Sequence, residues 1–344
     1  MELHEGKLGV DALQHSLLSK LGKKNVGIII SSLIGIDACA YEFSQAQEVA
    51  KVFYETGEEC YTICKSDPIT FPTPNPGRYA IIVNLNDLAC LGAIPYGILV
   101  TWLLPVTTVI ETIEQKQKEL HNTALEFGIT ILGGHTEFTS AVTRPVISLS
   151  MIGFTPKSFL PSRKLKKGDK LYLLGNVANE GTSILGNELI HKKSIPSNIK
   201  EMLNELPRFE KNLSIFHDAL KINKKYRPKM MHDPTEGGLL GAIYEMMVDQ
   251  SVGIKIKSSK LIIPDLTRGI CQLLKIDPLR LISSGSLLIC VEQEINVNKL
   301  ELDHELVEIG IVTPEKIFLI DDKEIHHPEA DQLIQGLKKL EDFS

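Results

Sequence analysis

Ile81-Ile-Val-Asn-Leu-Asn-Asp-Leu-Ala-Cys-Leu-Gly-Ala-Ile-Pro95 is the stretch on which the reading of this chain turns. Its first half alternates. Ile81, Val83 and Leu85 share one face of an extended segment, and Ile82, Asn84 and Asn86 share the other. The pattern predicts a strand over 81–86 that hands over at Asp87 to a short helix, 88–91, closed by Gly92. On this reading a carboxylate and two amides gather at the mouth of a strand, a donor set that suits a hydrated Mg²⁺ with attached phosphates. A plain helix N-cap is the other role open to Asn86 or Asp87.

Two further acids stand alone upstream. Asp37 lies in the apolar, glycine-marked turn Leu33-Ile-Gly-Ile-Asp-Ala-Cys-Ala-Tyr41. Asp67 precedes Phe71-Pro-Thr-Pro-Asn-Pro-Gly77, whose prolines exclude a regular element and predict a loop. A buried, unpaired carboxylate is costly, so each such acid should meet a cation, donors or water, unless it is an exposed turn residue. Strands are expected at 26–31, 59–64, 96–104 and 145–154, and an amphipathic helix at 109–127. Residues 1–25 read as an amphipathic lead-in carrying Leu13, Leu17, Leu18 and Leu21 on one helical face. In Ile129-Thr-Ile-Leu-Gly-Gly-His-Thr-Glu137 a strand runs into paired glycines, which allow close backbone approach, positive φ or a simple hairpin.

The segment 156–168, with Arg163, Lys164, Lys166 and Lys167, reads as a linker between domains 1–155 and 169–344. The second half is most informative at Met231-His-Asp-Pro-Thr-Glu-Gly-Gly-Leu-Leu-Gly241. Here Asp233 reads as an N-cap, Pro234 as the first helical residue and Glu236 as its capping-box partner. Gly237 and Gly238 then fall in the first turns of a helix, where each costs about 1 kcal/mol relative to Ala. Something must sit close to that backbone, either a phosphate at the helix N-terminus or a tightly packed neighbour. Leu281-Ile-Ser-Ser-Gly-Ser-Leu-Leu-Ile-Cys-Val291 reads as a turn into a buried strand.

Composition bounds the function. The 344 residues allow two cores, and 43% hydrophobic with 23% charged residues describe an ordinary soluble globular protein. A net charge of −6 gives no basic footprint for nucleic acid. No apolar run reaches the roughly 20 residues of a membrane span, and no signal-peptide order opens the chain, so the cytoplasm is expected. The six cysteines lack zinc spacing and are expected to be buried and reduced.

Four segments stand in order: Gly77-Arg-Tyr-Ala with Asn86-Asp-Leu-Ala and Gly-Ala-Ile-Pro95; Gly133-Gly-His-Thr-Glu137; Asp233-Pro-Thr-Glu-Gly-Gly-Leu239; and Ser284-Gly-Ser-Leu-Leu288. Together they resemble the AIR synthase-like superfamily, which includes aminoimidazole ribonucleotide synthetase, HypE, thiamine-monophosphate kinase, selenophosphate synthetase and α-ribazole kinase. The resemblance implies an N-terminal α/β domain whose strands form a barrel with a partner subunit, a C-terminal α/β domain, and a homodimer. It also implies ATP and Mg²⁺ in a groove between the domains and near the dimer interface, used for phosphoryl transfer. Carried over by position, Asp37, Asp67 and Asp87 would be the metal and phosphate ligands, supported by Asn86. Gly133, Gly134, His135 and Glu137 would line the nucleotide or substrate groove. Asp233, Thr235, Glu236, Gly237 and Gly238 would lie beside the phosphates.

Departures narrow the expected chemistry. The chain ends in Leu-Glu-Asp-Phe-Ser344, without the terminal cysteine of HypE-type proteins, and lacks the reactive cysteine of selenophosphate synthetases. Lys65-Ser-Asp-Pro-Ile-Thr70 stands where aminoimidazole ribonucleotide synthetases carry a Val-Asp-Gly-Val-Gly-Thr-Lys segment, and His135 stands where thiamine-monophosphate kinases usually have Asp. Ile36 precedes Asp37 where many relatives have paired acids. Elimination leaves a kinase of a small nucleoside-like alcohol, with α-ribazole of cobalamin salvage as the expected acceptor. A HypE-like, ATP-driven dehydration and a non-catalytic nucleotide-binding dimer are the alternatives.

Overall fold

The structure is a computed structural model and describes residues 6–7, 13–34, 36, 38–71, 73, 75–296, 299–326, 330–341 and 343. The chain divides into two compact units, Met1–Leu160 and Pro161–Ser344.

The first unit carries strands β1 (Gly6–Lys7), β2 (Ile28–Ile30), β3 (Ala40–Tyr41), β4 (Cys60–Ile69), β5 (Ile94–Leu104), β6 (Thr130–Phe138) and β7 (Val146–Pro156). Its helices are α1 (Phe43–Ala46), α2 (Glu48–Tyr54), α3 (Pro76–Cys90) and α4 (Ile110–Glu126), with a π-helical turn at Leu13–Leu18. The main sheet is open and five-stranded, in the order β1-β6-β5-β7-β4. Its β5–β6 pair is parallel, because α4 carries the chain back between them, and its other pairs are antiparallel. β2 and β3 form a separate ribbon.

The stretch read as a strand, 81–86, is instead the middle of α3. Pro76 sits in its first turn, where the missing N–H costs nothing, and the helix runs unbroken to Cys90. Ile81, Ile82, Leu85 and Leu88 are all fully buried, so apolar residues surround the helix rather than stripe it. A helix buried all round lacks the 3.6-residue signature, and a short run of it counterfeits alternation. Asn84 and Asn86 therefore do not share a face: two residues apart on a helix they diverge by about 200°. Asn84 is fully buried and donates from Nδ2 to the Ala80 carbonyl at 2.8 Å. Gly77 lets α3 cross α4 closely, since a Cβ there would stand 3.1 Å from the Lys116 oxygen and the Leu120 nitrogen.

β4 is longer than expected, continuing through Lys65, Ser66, Asp67 and Pro68 as the edge strand of the sheet. A proline is tolerated there because an edge strand leaves one row of N–H groups unpaired. In β7 the expected alternation holds: Ile147, Leu149 and Met151 are buried, whereas Val146, Ser148 and Ser150 are half-exposed. The cysteines depart from expectation, Cys64 being exposed and Cys39 half-buried, though all six are free thiols. The alternation of edge strand β4 turns Cys64 away from the helical layer.

The second unit holds β8 (Lys170–Gly175), β9 (Met230–His232), β10 (Gly253–Ile256), β11 (Ser286–Val291), β12 (Leu306–Thr313), β13 (Phe318–Ile320) and β14 (Lys323–Glu324). They form a mixed seven-stranded sheet, β14-β13-β10-β12-β8-β11-β9. Helices α5 (Asn179–Ile190), α6 (Ser197–Met202), α7 (Leu206–Lys211), α8 (Phe216–Tyr226), α9 (Gly238–Met247), α10 (Asp265–Leu274) and α11 (Leu333–Leu340) complete the unit. β11 is buried along its whole length, as its apolar run predicts.

Residues 161–168 hydrogen-bond within this unit: Arg163 N–H donates to the Lys229 carbonyl and Gly168 N–H to that of Val312. Among the described residues no helix is long and apolar enough to cross a membrane.

Candidate functional site

Two of the three expected acids meet in the first unit. Lys65 and Asp67 lie on β4 opposite Met151 and Leu149 of β7, on the face that α3 covers. Asp87 comes down from the last turns of α3. The Lys65 ammonium stands 2.9 Å from Asp67 Oδ2 and 2.9 Å from Asp87 Oδ2. Burial works against its charge, but hydrogen bonds to Asp67 and Asp87 outweigh this and hold its pKa above the ordinary lysine value. The three side chains are about one-third exposed, so the bridge adds little stability. What it demonstrates is geometry: two carboxylates converge on one cation. Asn86, next to Asp87, is fully buried. Asp37 lies outside the described residues. Among the described residues no group of three or more His, Cys, Asp or Glu could hold a metal ion. A two-carboxylate set nonetheless fits Mg²⁺, which commonly binds one or two carboxylates and fills its shell with water and phosphate oxygens.

The glycine motif also lies in this unit, inside β6 rather than at a hairpin. Gly134 has φ +152°, and a Cβ there would fall 1.8 Å from the Val100 oxygen, so the strand accepts nothing but glycine. The neighbour that presses on it is β5 of its own sheet. Gly133 is different: its Cβ would meet only ordinary contacts, Ser32 Oγ at 3.4 Å and Leu99 Cδ2 at 3.5 Å. Gly133, Gly134 and His135 line a cavity of about 370 Å³, together with Trp102 and the neighbours of Asp37 in sequence, Ile36 and Ala38. Glu137 does not line it but meets His135, with Oε2 3.0 Å from Nε2.

The second-half motifs converge in their own unit, though not as a capping box. α9 begins only at Gly238, its cap is Gly237, and 233–237 form an irregular loop. Gly237 and Gly238 have φ +87° and +62°, so they answer a backbone demand, not a helical one. A Cβ on Gly238 would stand 2.7 Å from the Leu279 and Leu281 oxygens. The chain's own 279–281 segment is thus the close neighbour that the glycines imply. Asp233 is buried, Thr235 is half-buried, and Glu236 is exposed. Ser283 N–H donates to the Pro234 carbonyl at 3.1 Å, and Ser283 Oγ accepts from Ala178 N–H at 2.7 Å. The Asp233–Gly238 loop, the Ser284–Ser286 turn and the start of α5 are thereby tied together.

Two acids at this junction escaped the sequence reading. Asp331 Oδ2 accepts from Gly237 N–H at 2.8 Å. Glu180, in the first turn of α5, is 1% exposed, and its Oε2 has no hydrogen-bond partner among the described residues. Burial pushes its carboxyl up to about 7, Ser284 offsetting part of the effect and Asp331 adding to it. A lone Glu in a helical first turn looks like a dipole companion, and nothing local foretells its burial.

The sign of the consequence is fixed. Below the unfolded pKa near 4.5 Glu180 is neutral in both states. As pH rises from about 4.5 to about 7 the unfolded chain ionises while the buried carboxyl stays protonated, and the fold loses roughly 3 kcal/mol relative to that limit, with no further loss above. Denaturation of Glu180→Gln and the native chain should therefore diverge with pH, the variant gaining up to this amount by pH 8. A gap that is constant from pH 5 to pH 8 would show that Glu180 is not held neutral.

Both units of this α/β protein match domains of one family. Residues 53–155 match the AIR synthase related protein N-terminal domain, and residues 166–322 match the AIR synthase related protein C-terminal domain. The chain belongs to this family. It is 28% identical over 239 residues to a putative hydrogenase expression/formation protein of Methanocaldococcus jannaschii, covering 69% of this chain and 68% of that one. It is 26% identical over 238 residues to the carbamoyl dehydratase HypE of Escherichia coli, covering 66% and 65%.

Among solved structures, that of E. coli HypE superposes with a TM-score of 0.70 at 23% identity, covering 88% of this chain and 94% of the other. HypE in complex with ATP gives 0.64 at 19%, covering 87% and 90%. The thiamine-monophosphate kinase complexed with AMPPCP and TMP gives 0.64 at 19%, covering 88% and 92%. At these identities the superpositions establish the fold.

Proposed function

We propose that this chain is an ATP- and Mg²⁺-dependent enzyme that transfers the γ-phosphoryl group to an oxygen of a small nucleoside-like alcohol, with α-ribazole as the first acceptor to test. The observation that carries the reading is the convergence of Asp67 and Asp87 on the Lys65 ammonium. Two carboxylates of edge strand and helix hold a cation where the metal of a bound nucleotide would sit. Mg²⁺ there would be held by Asp67 and Asp87, and it would neutralise charge on the phosphates. The remaining work of such a site is positioning and electrostatics. Lys65 can swing from the carboxylates towards phosphate oxygens, exchanging one set of anions for another. Asp233, Thr235 and Glu236 remain proposed phosphate-side groups, on the motif alone. Structural neighbours bound to ATP and to AMPPCP support the nucleotide part of the reading.

The second reading is a HypE-like step in which ATP drives a dehydration, and the relatives' identities favour it directly. One experiment separates the two. Purified protein is incubated with Mg²⁺-ATP and a nucleoside panel that includes α-ribazole, and products are followed by mass spectrometry. A kinase yields ADP and a phosphorylated nucleoside. ADP and phosphate formed only with a carbamoylated carrier would support the HypE-like step. No ATP consumption under either condition would leave the non-catalytic dimer.

The proposed assembly is a homodimer. The first unit's sheet is open, with a long edge strand, and Val26, Ile29, Leu33, Phe43, Tyr61 and Leu99 are exposed on this unit. Light scattering should give a mass near twice the 38.2 kDa chain, and a concentration-independent monomer would sink the dimer.

A further inference from the structure

We infer that Glu180 and Asp331 form a proton-operated latch: with Glu180 neutral the latch fastens the Asp233–Gly238 loop to the rest of the second unit, and with Glu180 ionised the loop is released. The inference goes beyond the phosphoryl-transfer reading and does not depend on it.

The loop has two backbone anchors. At one end the Pro234 carbonyl accepts from Ser283 N–H. At the other, Gly237 N–H donates to Asp331 Oδ2 at 2.8 Å. Asp331 is itself fixed, since its Oδ1 accepts from Leu333 N–H at 2.7 Å at the start of α11. That helix packs on α5, where a Cβ on Gly336 would stand 3.1 Å from Leu185 Cδ2. α5 is tied back to the 282–284 turn, its Gly181 N–H donating to the Ile282 carbonyl at 2.9 Å. The Asp331 carboxylate is thus the link by which the loop's glycine end reaches the helical layer.

Glu180 lies under this junction. It is 1% exposed, its Oε2 has no hydrogen-bond partner among the described residues, and its charged neighbour is Asp331. The elements around it bring no cation. The loop carries Asp233 and Glu236, and Glu236 faces Asp331. Ser284 faces Glu180 from the turn. α10 presents the Thr267 hydroxyl to Thr182, α7 presents Glu210 to Asn187, and α11 presents Gly336 to Leu185. A negative charge on Glu180 would therefore be buried beside Asp331 with nothing to offset it.

The fold can shed that cost without unfolding, because the loop side of the junction is lightly rooted: 233–237 are irregular, Thr235 is half-buried and Glu236 exposed. Lifting the loop from Asp331 admits water to Glu180. The sign follows. Closed, burial holds the Glu180 carboxyl up to about 7; open, it returns to the ordinary carboxylate range. Opening becomes easier as pH rises from about 4.5 to about 7, and no easier above.

Amide hydrogen exchange of the full chain tests this, read by mass spectrometry on peptides covering 233–241 and on those of β11, from pH 5.5 to pH 8, corrected for the chemical exchange rate. In the native chain the loop should be less protected than β11 at every pH, and its protection should fall by more than about tenfold across the range. Glu180→Gln, which cannot ionise, should keep the loop's protection constant. Asp331→Ala should leave the loop as unprotected at pH 5.5 as the native chain is at pH 8. Loop protection that is independent of pH, that falls equally in Glu180→Gln, or that equals that of β11 throughout would overturn the latch. Should Glu180→Gln fail to fold, the native profile decides alone: a loop less protected than β11 whose protection falls with pH supports the latch, and any other profile overturns it.

Discussion

Gly134→Ala should abolish stable folding of the first unit, whereas Gly133→Ala, one residue away, should be nearly silent. The contrast follows from the two backbones. At 134 the φ of +152° lies where an L side chain rarely goes, and the new methyl would overlap the Val100 oxygen at 1.8 Å. Backbone cannot yield as a side-chain tip does, so β5 and β6 would have to part at the centre of the sheet. The expected loss exceeds about 4 kcal/mol, a large share of the stability of a typical domain. At 133 the methyl meets Ser32 Oγ and Leu99 Cδ2 at ordinary contact distance, and the gain in backbone rigidity offsets part of any strain. Denaturant titration of both variants checks this; equal destabilisation would mean that the β5–β6 register is not the one described.

The same pair illustrates what the sequence could reveal. Paired glycines at the end of an apolar run announce close approach or unusual φ, and both occur at Gly134. They do not announce that the demand comes from a neighbouring strand of the same sheet, because register is a long-range property. Gly237 and Gly238 repeat the lesson, since the group crowding Gly238 is the 279–281 segment, some forty residues on. α4 and β7 were legible because half-buried elements write their period into the sequence. α3 was not, since complete burial erases the period that distinguishes helix from strand. Glu180 was invisible for a third reason: a polar atom without a partner is a fact about its surroundings, which no local pattern encodes.

Asp87→Asn should lower ATP turnover by at least an order of magnitude while leaving the protein folded. The amide is isosteric, Asp87 sits in the last turns of a helix held by its buried residues, and the lost bridge to a part-exposed Lys65 is worth no more than about 1 kcal/mol. Stability and activity should therefore separate. What the substitution removes is one of two carboxylates converging on a cation, and the proposed phosphoryl transfer depends on charge neutralisation at the phosphates.

Lys65→Met gives the complementary result. With the ammonium gone, Asp67 and Asp87 lose the positive charge that Lys65 places between them, and like charges at close quarters favour any cation that separates them. Mg²⁺ should then half-saturate at lower concentration than in the native chain, even if turnover falls because Lys65 no longer reaches the phosphates. Full turnover in Asp87→Asn, measured as ADP release at saturating Mg²⁺, would remove Asp87 from the metal site and leave it as one arm of a surface ion pair. Lower Mg²⁺ affinity in Lys65→Met would make Lys65 a partner of the metal site rather than its stand-in, and the mechanism would need a metal bound without competition from the chain's own cation.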